Sequence, residues 1–139
     1  GATVNAAGVL NNNLGGGVFR SAYWGLIANV ARQNITWTHT TLQANTSATG
    51  GGGGAYVNNS FFTLNNGVID GNNAGAGDGG GLKITGATVA MSDTRITNNA
   101  ATWGGGVAHW SPGAEGAGSS TRLTLSGNQP QDVVGIFPR

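Results

Sequence analysis

Residues 60–86, SFFTLNNGVIDGNNAGAGDGGGLKITG, contain the pattern that decides the fold of this chain. Apolar and polar residues alternate over Phe62-Thr63-Leu64, which is the period of two that is typical of a half-buried strand. Ile69 is followed three positions later by Asn72, and a glycine triplet that ends at Gly81 then leads into a second apolar strand. The segment therefore predicts a unit of short strands separated by turns.

The same unit recurs along the chain, and its third glycines are 37, 27 and 25 residues apart. The third glycine of each triplet is Gly17, Gly54, Gly81 or Gly106. The asparagines that follow an apolar residue by three positions are Asn13, Asn45, Asn72 and Asn99. The alternating strands begin at Ile35, Phe62, Val89 and Leu123. A period of this length, with about three short strands in it, is too short for a propeller blade or a helical repeat and predicts a parallel β-helix.

We therefore expect an all-β, right-handed, single-stranded parallel β-helix of about four to five coils in a single domain. Two coils carry insertions, and Leu26, Ile27 and Val30 have a helical spacing that allows one short helix in the first of them. The predicted segments are coil 1 (1–33, with the insertion 21–33), coil 2 (34–59), coil 3 (60–86), coil 4 (87–120, with the insertion 110–120), and coil 5 with a C-terminal closure (121–139).

Stacked coils place equivalent residues in columns, about 4.8 Å apart along the axis. The predicted inward columns are Ile35, Phe62, Val89 and Leu123; Trp37, Leu64, Met91 and Leu125; and Leu42, Ile69 and Ile96. The four repeated asparagines should form a ladder in which stacked amides hydrogen-bond from coil to coil. The four repeated glycines should occupy positions of positive φ, or positions where a Cβ would meet the neighbouring coil.

Composition excludes several functional classes. Only 8% of the 139 residues are charged, against about 25% in a typical soluble domain, and the net charge is +1. No basic stripe is present to bind nucleic acid, and no apolar run approaches the roughly 18 residues of a membrane span. The chain has no cysteine, and we predict no metal site, no cofactor and no catalytic residue. His109 is expected at a corner or an end of the coil rather than as a metal ligand.

The repeat resembles that of chlamydial polymorphic outer membrane proteins and, more broadly, of bacterial autotransporter-type passengers. Those repeats have Phe-x-x-Asn followed by Gly-Gly-Ala and an apolar residue. The most similar copy here is Ile96-Thr97-Asn98-Asn99 before Gly104-Gly105-Gly106-Val107, in which Ile replaces Phe and Gly replaces Ala. The resemblance implies a secreted bacterial protein of the cell surface, either an adhesin or a structural stalk.

A lateral surface of aromatic and basic residues is the candidate binding site. Exposed aromatic rings beside a rigid face suit contact with a glycan or with a host or cell-surface protein. The predicted residues are Phe19, Tyr56 and Lys83 on the strands that follow the glycines, and Tyr23, Trp24 and Trp110 in the insertions.

The expected function is that of a non-enzymatic extracellular module, adhesin-like or structural. Because both ends of a β-helix expose strand edges, the partner is either the remainder of a longer β-helix or a second copy stacked end to end into a fibre. One alternative is a polysaccharide lyase or epimerase that acts through Asp93 or Lys83. A less favoured alternative is ice binding by the outward column Thr36, Thr63, Ala90 and Thr124, which Ala90 interrupts.

Overall fold

The computed structural model is all-β in the part of the chain that it describes, which comprises residues 3–5, 17–20, 26–29, 34–47, 50–58, 60–110 and 116–139. Fifteen short strands are present there. They are β1 (Thr3–Asn5), β2 (Gly17–Arg20), β3 (Leu26–Asn29), β4 (Asn34–Thr38), β5 (Thr41–Gln43), β6 (Ala55–Asn58), β7 (Phe61–Asn65), β8 (Val68–Asp70), β9 (Leu82–Thr85), β10 (Thr88–Ser92), β11 (Arg95–Thr97), β12 (Val107–Trp110), β13 (Gly118–Thr121), β14 (Thr124–Ser126) and β15 (Val133–Gly135).

The strands form three sheets, and from β4 onwards each coil contributes one strand to each sheet. The strand orders are β1-β5-β8-β11-β14, β13-β10-β7-β4 and β15-β12-β9-β6-β3-β2. Neighbouring strands are parallel, except that β2 pairs antiparallel with β3. From β4 onwards each strand pairs with the third strand after it in the chain. This is the connectivity of a parallel β-solenoid, so the predicted fold class is confirmed.

The number of coils is slightly lower than predicted. The chain makes about three complete turns between the start of β4 and the start of β13, whereas four to five coils were expected. The predicted coil 1 is represented among the described residues by β1, β2 and β3 alone, and these strands join only two of the three sheets. Hydrogen-bonded partners in successive coils are 27 residues apart in the middle of the chain and 29 apart at the last step.

Among the residues whose side chains are described, the predicted inward columns are present in the core, except for the last members of two of them. Phe62 pairs in register with Val89, and Leu64 with Met91. Leu42, Ile69 and Ile96 follow one another on β5, β8 and β11, as predicted. All these side chains are buried, and the rings of Trp37 and Phe62 meet edge to face at 5.0 Å. The interior is therefore a continuous apolar stack, which is the main source of stability in such a fold.

The register of the last coil differs from the prediction. Val89 and Met91 pair with Gly118 and Ser120 of β13 rather than with Leu123 and Leu125. Leu125 instead pairs with Ile96 in the next sheet. The strand Gly118–Thr121, which lies almost wholly in the predicted insertion 110–120, has no large apolar residue and so gave no sequence signal.

The predicted short helix in the 21–33 insertion is also wrong for the described part of that segment. Leu26–Asn29 is the strand β3, paired in parallel with β6 and antiparallel with β2. Pairing with two neighbouring strands satisfies the backbone groups of this short apolar run, whose sequence does not distinguish a helix from a strand.

The asparagine ladder links the coils through the interior of the solenoid. The Nδ2 group of Asn72 donates to Oδ1 of Asn99 at 2.9 Å, and the backbone N–H of Asn72 donates to the same oxygen at 2.9 Å. Asn45 makes the corresponding bonds to Asn72, and Asn99 makes them to Asn128, which the prediction did not include. Asn13 lies outside the described residues.

The third glycines Gly54, Gly81 and Gly106 lie against this ladder. A Cβ on Gly81 would lie 2.9 Å from Ile69 Cγ2 and 3.1 Å from Asn99 Nδ2, and a Cβ on Gly54 or Gly106 would similarly meet the Asn72 or Asn128 side chain. The glycine and the asparagine therefore recur together because the absence of a Cβ leaves room for the stacked amides. Gly17 is in β2, and the atoms around it are not described.

Candidate lateral binding surface

Two of the predicted surface residues lie side by side on the six-stranded sheet. Tyr56 on β6 pairs in register with Lys83 on β9, and both side chains are half-buried. The Lys83 ammonium lies 5.8 Å from the centroid of the Tyr56 ring, within the range of a cation–π interaction. Phe19 on β2 pairs with Ile27, which in turn pairs with Tyr56; only its backbone is described. Tyr23 and Trp24 lie outside the described residues.

Asp78, which precedes the third glycine triplet, connects this pair to Trp110. Its Oδ1 atom lies 2.8 Å from the Lys83 ammonium, and its Oδ2 atom accepts a hydrogen bond of 2.6 Å from the Trp110 indole N–H. Lys83 also donates to the backbone carbonyl of Gly50 at 2.9 Å. The Asp78 and Lys83 side chains are 17% and 22% exposed, so solvent screens this ion pair less than a fully exposed one.

Trp103 completes the surface and was not among the predicted residues. It pairs with Asp78 through an isolated parallel bridge, and it is 60% exposed, the largest exposure among the large apolar side chains of the described residues. Trp110 is 38% exposed. The sequence did contain a signal, because Asp78 and Trp103 are both the residue immediately before a glycine triplet. We refer to Tyr56, Asp78, Lys83, Trp103 and Trp110 as the lateral aromatic surface.

A second charged site lies where the strands of the four-stranded sheet end, whereas Tyr56, Lys83 and Trp110 are on the six-stranded sheet. His39, Asn66, Asp93 and Arg122 each follow a strand of the four-stranded sheet, and all have a positive φ near 50°. Arg122 donates to both carboxylate oxygens of Asp93, from Nε and from Nη2. This hydrogen bonding lowers the pKa of Asp93 and raises that of Arg122. Asp93 is therefore one half of an exposed ion pair rather than an isolated carboxylate.

His109 lies in the core rather than at a corner or an end of the coil. It pairs in register with Ile84 on β9 and is completely buried, and its ring lies tilted against that of Phe137, with 6.1 Å between the centroids. Its Nε2 atom lies 2.8 Å from the Ala87 carbonyl, so Nε2 carries the proton, whereas Nδ1 has no hydrogen-bond partner. Burial lowers the pKa of His109 below the ordinary value of 6.5.

The outer face of the four-stranded sheet carries a shallow groove of about 200 Å³, bordered by Phe61, Ala90 and Gly118. In the outward column of this face, Thr36 and Thr63 are followed by Ala90 and then by Ser119. Thr124, which was predicted to continue the column, lies in another sheet.

Within the described residues, no group of three or more His, Cys, Asp or Glu side chains is positioned to hold a metal ion. The described residues also include no helix that is long and apolar enough to span a membrane. Comparisons of the chain with protein-family models, curated proteins and solved structures find no match.

Proposed function

We propose that this chain is a non-enzymatic, extracellular, adhesin-like module that binds its ligand through the lateral aromatic surface. The observation that carries the proposal is that two exposed indole residues adjoin one fixed carboxylate: Trp110 donates to Asp78, and Trp103 pairs with Asp78 through a backbone bridge. Large exposed aromatic side chains on a rigid face are typical of binding surfaces. The extracellular location and the adhesive role come from the resemblance of the repeat to autotransporter-type passengers.

The solenoid supports this role because it fixes the surface. Trp110 ends β12 and Lys83 lies within β9, so their backbones are held by the pairing of β12 with β9. Sites on strands are more rigid than sites on loops, and less conformational entropy is lost when a ligand binds.

The proposal is tested by binding of the purified chain to arrays of glycans and of extracellular-matrix proteins. We expect saturable binding to at least one immobilised ligand, with a loss of about tenfold or more in Trp103→Ala and in Trp110→Ala. Phe61→Ala is the matched control, because Phe61 is a 40% exposed aromatic residue on a different sheet and should leave binding unchanged. Absence of binding, or equal loss in all three folded variants, would overturn the proposal.

A different observation favours end-to-end assembly as a second role. Strands β13, β14 and β15 are each the last strand of a sheet, and no further strand of the described residues pairs with them. Unpaired edges of this kind are templates for another copy of the chain. Two contacts oppose continuation: Asn128 Nδ2 donates to Asp132 Oδ1 at 2.7 Å, where the next ladder residue would lie, and Phe137 is buried against the core.

Sedimentation velocity over a range of micromolar concentrations separates the two roles. Assembly would be supported by larger species whose fraction grows with concentration. That fraction should be higher in Phe137→Ala, because this change uncovers the core at that end. A stable monomer for both proteins at all concentrations would refute it and leave the lateral binding role intact.

A further inference from the structure

The charges within the lateral aromatic surface neutralise one another. The Lys83 ammonium lies 2.8 Å from Asp78 Oδ1, donates to the Gly50 carbonyl, and lies 5.8 Å from the centroid of the Tyr56 ring. Because the cation is used within the chain and lies beside a carboxylate, the surface presents no net charge to a ligand. It therefore does not select phosphate, sulfate or uronate groups by attraction.

The exposed apolar area is suited to a small ligand rather than to a protein. A Trp side chain has an area of roughly 250 Å², so the exposed fractions of Trp103 and Trp110 amount to roughly 250 Å² together. A stable protein–protein interface needs about 800 Å² on each partner. Two indoles are instead comparable in size with the faces of one or two sugar rings.

The carboxylate that contacts the Trp110 indole is an acceptor. An ionised carboxylate offers about four lone-pair sites, and Asp78 uses one on each oxygen, for Lys83 and for the Trp110 N–H. The remaining sites can accept hydrogen bonds from hydroxyl groups. A ligand with C–H groups on one face and hydroxyl donors at its rim complements such a surface, because the negative face of an indole attracts partly positive C–H groups.

We propose that the ligand of the lateral aromatic surface is an uncharged oligosaccharide, whose pyranose ring stacks on Trp103 or Trp110 and donates a hydroxyl hydrogen bond to Asp78. The proposal rests on the lateral binding role given above and adds the chemical class of the ligand. The Trp110 hydrogen bond to Asp78 fixes the orientation of one indole before the sugar arrives, which reduces the entropy lost on binding.

The test is a titration followed by the indole N–H signals in ¹⁵N–¹H NMR spectra. The neutral probes are cellohexaose, maltoheptaose and mannohexaose, and the acidic probes are hexagalacturonate and a heparin hexasaccharide. At least one neutral probe should shift the Trp103 and Trp110 signals, while the signal of the buried Trp37 remains in place. Binding should weaken about tenfold or more in Trp103→Ala and in Asp78→Ala, and it should be unchanged in Phe61→Ala.

Salt distinguishes the two kinds of glycan, since screening affects charged ligands and leaves stacking almost unchanged. Binding of the neutral probe should differ less than twofold between 50 mM and 500 mM NaCl. Binding of only the acidic probes, weakened by salt, would overturn the assignment to neutral glycans.

The protein arm of the array separates this inference from the function on which it rests. Trp103-dependent binding to a matrix protein, without binding of any neutral probe, would refute the glycan assignment and leave the lateral binding role standing. If neither glycans nor proteins bind, both proposals fail.

Discussion

Replacing Asn72 with alanine tests the asparagine ladder at a position that has ladder neighbours on both sides. The Asn72 amide donates to the Leu42 carbonyl at 2.9 Å and to Asn99 Oδ1 at 2.9 Å, and its Oδ1 accepts from the Asn45 backbone N–H and side chain at 2.9 and 3.1 Å. Asn72→Ala removes these four bonds from a completely buried site. Each buried group that loses a hydrogen bond costs about 1–3 kcal/mol, so with two backbone groups affected we expect a total loss of about 3–5 kcal/mol.

The adjacent residue provides a matched control. Asn73 is exposed, and its side chain makes a single hydrogen bond, accepting from the Gly75 N–H at 2.7 Å. Asn73→Ala should therefore cost about 1 kcal/mol or less, because water replaces the lost partner.

Urea unfolding followed by circular dichroism, with linear extrapolation to water, gives both free energies of unfolding. The slope of the unfolding free energy against urea concentration should be the same in both variants if the solenoid unfolds as one unit. A difference of less than about 1 kcal/mol between Asn72→Ala and Asn73→Ala would refute the ladder as a major source of stability.

Three further changes probe other parts of the fold. Gly81→Ala places a Cβ 2.7 Å from the Gly106 carbonyl oxygen and should destabilise by about 2–4 kcal/mol, whereas Gly71→Ala, at a φ of +64° in open space, should cost about 1 kcal/mol in the same urea assay. Because burial lowers the pKa of His109, the unfolded chain binds a proton at this residue more readily than the folded chain does. The contribution of neutral His109 to the free energy of unfolding should therefore be complete above pH 6.5 and be lost as the pH falls below it. His109→Asn should abolish this part of the pH dependence of thermal unfolding. Phe137→Ala removes a buried ring from the C-terminal end of the core and should cost about 3 kcal/mol, measured by thermal unfolding with the wild type as reference.

The middle of the solenoid was predictable because its signals agree. Between Phe62 and Val107, the alternating apolar residues and the asparagine recur after 27 residues and the glycine triplet after 25, in the same order, so each signal supports the placement of the others. The registers of Phe62 with Val89 and of Ile69 with Ile96 then follow from sequence alone.

The last coil was mis-registered because alternation by itself does not say which sheet a strand joins. Leu123-Thr124-Leu125 has the same pattern as a strand of the four-stranded sheet, and no glycine triplet follows it to set the phase. The decisive signal was Asn128, three positions after Leu125, which repeats the spacing of Ile96 and Asn99. That spacing assigns Leu125 to the column of Ile96, where the structure has it.

The lateral aromatic surface was only partly predictable for a different reason. Tyr56 and Lys83 share a register position and were found from the repeat, whereas the hydrogen bond from Trp110 to Asp78 joins residues 32 positions apart that occupy different places in the repeat. Side chains that reach across a coil leave no periodic signal. The burial of His109 depends likewise on its contact with Phe137, which lies outside the repeat.

The stacking of like residues from coil to coil is tested most directly by methyl–methyl nuclear Overhauser effects in a ¹³C-labelled sample. Leu42, Ile69 and Ile96 occupy the same position in three successive coils, about 4.8 Å apart. We expect strong cross-peaks between Leu42 and Ile69 and between Ile69 and Ile96, and none of comparable strength between Leu42 and Ile96. Absence of the Ile69–Ile96 cross-peak in the folded protein would contradict the stacked solenoid.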